Sequence, residues 1–220
     1  MSELIDCVVD AMLSQHRADR RLLVAVAGPP ATGKTTFCET LIATLNTRKD
    51  ITAEACVVPM DGFHLDNRQL QSLGLSARKG APPTFDYDGL YCLLNRTRTQ
   101  RSPIYYPLFD RERDLAIAAA GVVRPETEMV VVEGNYLMLN QEPWRRLAPL
   151  FDLEIFLDAP LTCLEDRLIQ RWLDHGLERG DAEFRARAND IPNAELVLKN
   201  IRTSENAFKA QVTQSEFLRF

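Results

Sequence analysis

The sequence lacks the roughly 20 consecutive apolar residues that would span a bilayer. Residues 1–13 set Glu3, Asp6 and Asp10 among apolar residues at helical spacing, without the basic start and apolar run of a secretion signal. Cysteine is sparse and scattered. Cys7, Cys38, Cys56, Cys92 and Cys163 form no CxxC pair, which argues against structural zinc and against a disulfide framework. A reducing, cytoplasmic setting is the resulting expectation. Basic charge is also in short supply: 26 Lys and Arg stand against 31 Asp and Glu, a net charge of −5. A general nucleic-acid binder needs the opposite balance. No nucleic-acid or membrane partner is expected, and a homodimer is left open.

No repeat, low-complexity tract or linker divides the chain, so its 220 residues are read as one α/β domain over 1–220. Four short apolar runs, at 22–27, 55–60, 129–132 and 153–157, are nearly unbroken, as strands buried on both faces should be. Helical patterns lie around and between them at 5–15, 34–45, 90–99, 161–175 and 182–198. Strands and helices in alternation imply a mostly parallel sheet covered on both faces. The segment 72–88 (SLGLSARKGAPPTFDYD) reads as one long loop, and loops of that length usually serve a function or are disordered.

The strongest local signal is Gly28-Pro29-Pro30-Ala31-Thr32-Gly33-Lys34-Thr35, a complete GxxxxGK[ST] placed after a strand and opening a helix. Its glycines let successive backbone N–H groups turn inward as an anion cradle, and the helix start adds its positive dipole end. Lys34 would reach the β- and γ-phosphates of a nucleotide, and the Thr35 hydroxyl would ligate Mg²⁺. The plainer alternative is a glycine-rich turn before a helix. A guanine-reading NKxD and the LSGGQ signature of transporter ATPases are both missing. Two acids fall at strand ends instead: Asp61 after 55–60 and Glu133 after 129–132. In a parallel sheet those ends gather at the ligand crevice, where two carboxylates can hold Mg²⁺ and accept a hydroxyl proton. Each alone would also serve as a strand-end cap or a surface charge.

Seven segments carry a resemblance. They are GPPATGKTT (28–36), PMDGFHL (59–65), RKGAPPTFDYDGL (78–90), SPIYYPLFDR (102–111), VVVEGNY (130–136), RLIQRWLDHG (167–176) and NAELVLKNIRTSENA (193–207). Together and in this order they resemble the uridine kinase, phosphoribulokinase and bacterial pantothenate kinase superfamily. The bacterial branch called uridine-kinase-like or fructose-transport-associated is the most similar. The resemblance implies a P-loop three-layer fold with a small helical lid at about 161–190. It further implies ATP and Mg²⁺ as cofactors and transfer of the γ-phosphate to a hydroxyl of a small molecule. Carried over by position, Gly28, Pro29, Ala31, Thr32, Gly33, Lys34, Thr35 and Thr36 hold the nucleotide, with Lys34 also catalytic. Asp61 is the general base, and Thr35 and Glu133 support the metal. Arg171, and with it Arg167, closes over the phosphates from the lid; both arginines could equally pair with Glu165 or Asp174.

On the acceptor side, Asp86 is expected to bind hydroxyls, with Asp88 left to cap the following helix. His64 either touches the acceptor or packs at the strand exit. Tyr87 is aromatic enough to line a pocket. Arg111 meets an anionic group of the acceptor or pairs with Glu112 or Asp114. The segment 200–203 resembles the family's strip beside the adenine. This chain has DGFH where typical uridine kinases have DSFY, and it lacks their RGR run in the lid; both departures leave the acceptor open. A P-loop ATPase acting as a regulator or chaperone, without an acceptor, is the competing class.

Overall fold

The computed structural model describes residues 2–48, 54–202 and 207–212. Five parallel strands form its central sheet: β1 (Leu22–Ala27), β2 (Glu54–Pro59), β5 (Thr127–Gly134), β6 (Leu153–Asp158) and β7 (Ala207–Gln211), in the order β2-β5-β1-β6-β7. Two further strands, β3 (Ile104–Asp110) and β4 (Leu115–Val123), pair antiparallel as a separate hairpin. The helices are α1 (Ser2–Gln15), α2 (Lys34–Thr47), α3 (Asn67–Ser72), α4 (Tyr87–Thr99), α5 (Leu161–Asp174), α6 (Arg179–Arg185) and α7 (Ile191–Lys199).

The unbroken apolar runs have a simple cause. Every residue of β1 is buried, because alternate side chains feed two different cores. Leu23, Ala25 and Ala27 join Val130, Val132 and Phe156 beneath α4 and Trp144. Leu22, Val24 and Val26 join Val131, Ile155 and Leu157 beneath α1 and α2. A third, smaller cluster of Leu164, Leu168, Ala186 and Ala194 holds α5 to the segments that follow it.

Three expectations need correction. The segment 72–88 is no featureless loop: it makes two single 3₁₀ turns, Ser76–Arg78 and Pro82–Thr84, and its last two residues already begin α4. Thr84 organises it by donating to the Ala81 carbonyl (2.7 Å) and accepting from the Gly80 amide (2.9 Å). The helix expected over 182–198 is broken into α6, a π-helical turn at Ala186–Asp190, and α7. The hairpin and β7 were not anticipated. β4 is exposed through its first six residues save Ala116, so its side chains give no alternating apolar signal. From 200–203, Asn200, Ile201 and Arg202 lie beside residues 138–140, with the Arg202 amide donating to the Met138 carbonyl, and Thr203 is outside the described residues.

Arg21 closes the lower end of the sheet, immediately before β1. It is fully buried and meets no carboxylate among the described residues; its guanidinium donates to the carbonyls of Thr127 (2.7 Å), Thr97 (3.1 Å) and Arg124 (3.0 Å), and to that of Gln100. One side chain thus serves the ends of α4, β5 and the turn between β4 and β5. Arg21→Met should leave several buried carbonyls without donors, at roughly 1–3 kcal/mol for each group that water cannot reach. A fall in Tm of about 6–12 °C, read by thermal melting of the purified variant, is expected for roughly 3 kcal/mol in a chain of this size.

Candidate active site

The chain leaves β1, turns through residues 28–33 and enters α2 at Lys34. Ala31 (φ 65°) and Gly33 (φ 81°) both sit in the left-handed region, which rotates neighbouring amides toward one side and shapes an anion nest. The Thr32 hydroxyl donates to the Pro29 carbonyl (2.8 Å) and fixes the turn. Lys34 is only 7% exposed, and its ammonium donates to the same Pro29 carbonyl (2.7 Å). Burial pulls the Lys34 pKa from 10.5 down to about 8. Glu133 and Asp61 act against that shift, and Arg171 adds to it, so all three charged groups lie within electrostatic reach of the ammonium.

Strand register brings the acids there. Glu133 stands opposite Val26 of β1 on one side and Pro59 of β2 on the other. Its carboxylate accepts from the Thr35 hydroxyl (2.9 Å). Burial raises the Glu133 pKa, while Lys34 and the Thr35 hydrogen bond lower it. Asp61 lies two residues beyond β2, inside the 3₁₀ turn Met60–Phe63. Glycine is required at position 62, because a Cβ there would stand 2.0 Å from the Pro107 carbonyl oxygen of β3. The hairpin therefore packs directly on the turn that carries Asp61. Arg111, just past β3, brings a guanidinium nitrogen to 3.8 Å from the Asp61 carboxylate.

His64 packs at the strand exit, the second of its two expected placements. Its Nδ1 donates to the Asp61 carbonyl (2.7 Å), and its ring packs between Phe85 (4.1 Å between centroids) and Phe109 (4.7 Å). Burial lowers its pKa below 6.5, so the ring is neutral at pH 7. Arg167 donates to the Ala31 carbonyl (3.1 Å), which ties α5 to the phosphate loop. Arg171 pairs with Asp190 (3.2 Å), neither with Glu165 nor with Asp174. Arg111 likewise pairs with Asp61, while Asp114 takes Lys79 (2.9 Å).

Two acceptor-side assignments change. Asp86, not Asp88, is the helix cap: its carboxylate accepts from the Gly89 amide (2.9 Å) at the start of α4, and Asp88 sits inside the first turn. Asp86 remains exposed and its amide bonds to the Phe63 carbonyl (2.7 Å), so it stays beside the Asp61 turn. Tyr87 instead turns into the aromatic core, stacked on Tyr91 and edge-on to Trp144. It lines a cavity of about 500 Å³ with Phe85, Pro82, Pro83, Trp144 and Leu196, whose walls include none of Lys34, Asp61 or Glu133.

Among the described residues, no group of three or more His, Cys, Asp or Glu is arranged to hold a metal. A cation at Thr35 and Glu133 would thus have one hydroxyl and one carboxylate from the protein, directly or through water. That donor set fits Mg²⁺, which keeps several waters and takes phosphate oxygens for the rest. No helix among the described residues is long and apolar enough to cross a membrane. The residues that sequence reasoning missed are Asp190, Arg78 and Lys79. Arg78 donates to the Ala188 carbonyl and to Asn193 (both 3.2 Å), and the Lys79 carbonyl accepts from Asn189 (2.7 Å). The resemblance covered Arg78 and Lys79 within its acceptor-loop segment but attached no role to either.

Residues 23–183 match the model of the Phosphoribulokinase / Uridine kinase family. The Escherichia coli protein YggC, which has no described function in its name, is 39% identical over 87% of this chain and 79% of its own length. A Schizosaccharomyces pombe protein named for uridine kinase is 32% identical over 92% of this chain and 87% of its own. A crystal structure of a Silicibacter kinase named for a fructose transport system superposes with a TM-score of 0.87 at 42% identity, covering 93% of this chain and 98% of that one.

The buried ammonium generates a prediction. Between about pH 8 and 10.5 the unfolded chain still holds the Lys34 proton that the native state has shed, so nucleotide-free stability should rise with pH across that window. Below pH 8 the full penalty for burying the charge is present. Lys34→Met should therefore raise the nucleotide-free Tm at pH 7, narrow its advantage as pH approaches 10, and lose all stabilisation by MgATP. Differential scanning fluorimetry of both proteins across pH, with and without MgATP, reads each outcome.

Proposed function

Because the chain belongs to the Phosphoribulokinase / Uridine kinase family, we propose that it is an ATP-dependent kinase moving the γ-phosphate to an alcohol group of a small soluble metabolite. One observation carries the reading: Lys34, Thr35, Glu133, Asp61 and Arg171 converge at the carboxyl edge of one parallel sheet. A regulator that only bound nucleotide would have no use for a carboxylate aimed at the same phosphates.

In this reading the amides of residues 28–36 and the Lys34 ammonium grip the β- and γ-phosphates, and Arg167 keeps α5 against the loop. Thr35 and Glu133 would hold Mg²⁺, whose chemistry is to neutralise charge on the phosphate oxygens. Arg171, whose charge is felt at Lys34, would add a second cation to the transferring group. Asp61 accepts the proton of the incoming hydroxyl as its oxygen bonds to the γ-phosphorus and the bond to the bridging oxygen breaks, releasing ADP. His64, neutral and donating to the Asp61 backbone, fixes the turn that aims the carboxylate. Arg111 sits on the outer side of Asp61, where an anionic acceptor would meet it. Asp86, exposed at the helix start, offers its remaining lone pairs to further hydroxyls. Sugars, nucleosides and pantothenate-like alcohols all fit this description, in keeping with the names of the relatives.

Asp61→Asn should reduce turnover by about 10²–10⁴-fold while MgATP binding and the fold persist. A panel of sugars, nucleosides and pantothenate, assayed by coupled ADP release, supplies the acceptor. Unchanged kcat in the variant on the true acceptor removes Asp61 as the base. Tight MgATP binding with silence across the whole panel points instead to a regulatory ATPase.

A further inference from the structure

Asp190 is 8% exposed at the end of the π-helical turn, a place where an isolated carboxylate would be costly to bury. Two donors meet it on the same oxygen. Arg171 donates from Nη2 (3.2 Å) and the Trp172 indole from Nε1 (2.6 Å). Both donors are successive residues near the end of α5, and Arg171 also lies over the Trp172 ring (5.3 Å to the centroid), as does Arg185 (4.3 Å). The turn that supplies Asp190 departs from α-helical spacing, and such turns recur at functional positions. It is followed by Pro192, which has no N–H to return to the Ala188 carbonyl, and that carbonyl accepts from Arg78 instead.

On the kinase reading above, Arg171 needs to keep one face of its guanidinium directed at the phosphate while a long, flexible side chain is held still. We infer that Asp190 is the positioning residue for this step: its largely buried carboxylate holds the half-exposed Arg171, with Trp172 fixing the carboxylate in turn. The Arg171 charge is felt at Lys34, so a triphosphate gripped by that lysine lies within the field of both cations. One side chain nitrogen of Arg171 is committed to Asp190, and the guanidinium has further N–H groups to give to a γ-phosphate. Asp190 acts through Arg171 and touches no reacting atom.

The test requires no known acceptor. Equilibrium binding of Mg-β,γ-imido-ATP and of MgADP is measured by calorimetry for the wild type, Asp190→Asn, Arg171→Ala and the double variant. Asp190→Asn is expected to lose about tenfold in affinity for the triphosphate analogue, with much less change for the diphosphate, because only the γ-phosphate meets the lid arginine. In the Arg171→Ala background the same substitution should have little further effect, as expected for two residues acting as one unit. Asp190→Ser serves as a second neutral variant should the first fail to fold. Equal losses for both nucleotides, or the same loss with and without Arg171, would make Asp190 a folding staple and overturn the proposal. So would wild-type preference for the triphosphate in either neutral variant. A wild-type protein that binds neither nucleotide ends the kinase reading itself, and this outcome is distinct from the others.

Discussion

A lysine ammonium sealed under the phosphate loop, with the Pro29 carbonyl and the Thr32 hydroxyl as its near partners, sets the terms for everything around it. Lys34 has given up most of its water for the Pro29 carbonyl and the more distant fields of Glu133 and Asp61. Burying a cation in this way is unfavourable, and the depressed pKa measures how unfavourable. An anion in the cradle would relieve that cost, so the buried ammonium favours phosphate over water. The same dryness strengthens every other charge aimed at the loop.

That requirement explains why the carboxylates stand where they do. In this sheet β1, β5 and β2 run parallel and in register, so Val26, Glu133 and Pro59 lie side by side and the residues after them open on one edge. Neither acid touches Lys34 as an ion pair; Glu133 is held by Thr35 and Asp61 is met by Arg111. Had either carboxylate closed on the ammonium, the cradle would be filled by the protein itself. The Gly62 approach to Pro107 completes the arrangement, because it makes the hairpin a wall against the Asp61 turn rather than a loose appendage.

Much of this was legible from residues alone. The four strands of the sheet core were readable because strands buried on both faces are apolar without alternation, and the phosphate loop announced itself by spacing and context. Lys34 and Thr35 followed from that spacing, and Asp61 and Glu133 from strand ends. What escaped was set by tertiary pairing. The hairpin has an exposed strand with no periodic signal. Asp86 and Asp88 are both plausible caps by composition, and the choice between them turned on which carboxylate reaches the Gly89 amide. Tyr87 reads as a pocket aromatic and does line a cavity beside Trp144, but that cavity's walls include none of Lys34, Asp61 or Glu133. Arg171 was expected over the phosphates, with Glu165 or Asp174 as the alternative partner; its partner instead comes from a π-helical turn 19 residues on, which no helical spacing could foretell.

The π-helical turn with α7 and the segment that leads into α4 form a single hydrogen-bonded unit. Arg78 donates to Ala188 and Asn193, Asn189 donates to the Lys79 carbonyl, and Lys79 in turn donates to Asn67 (2.7 Å) and pairs with Asp114 beside the hairpin. Tyr136, three residues past Glu133, donates to the Gly80 carbonyl from beneath. The segment 78–80 is thus fastened at once to residues 188–193, to the hairpin and to the residues just past β5, the strand that carries Glu133. The loop that leads to Phe85 and Asp86 cannot shift without disturbing the turn that carries Asp190, and Asp190 holds Arg171. The segment that leads into α4 and the end of α5 are therefore joined through backbone carbonyls and the side chains of Arg78, Asn189, Asn193 and Asp190.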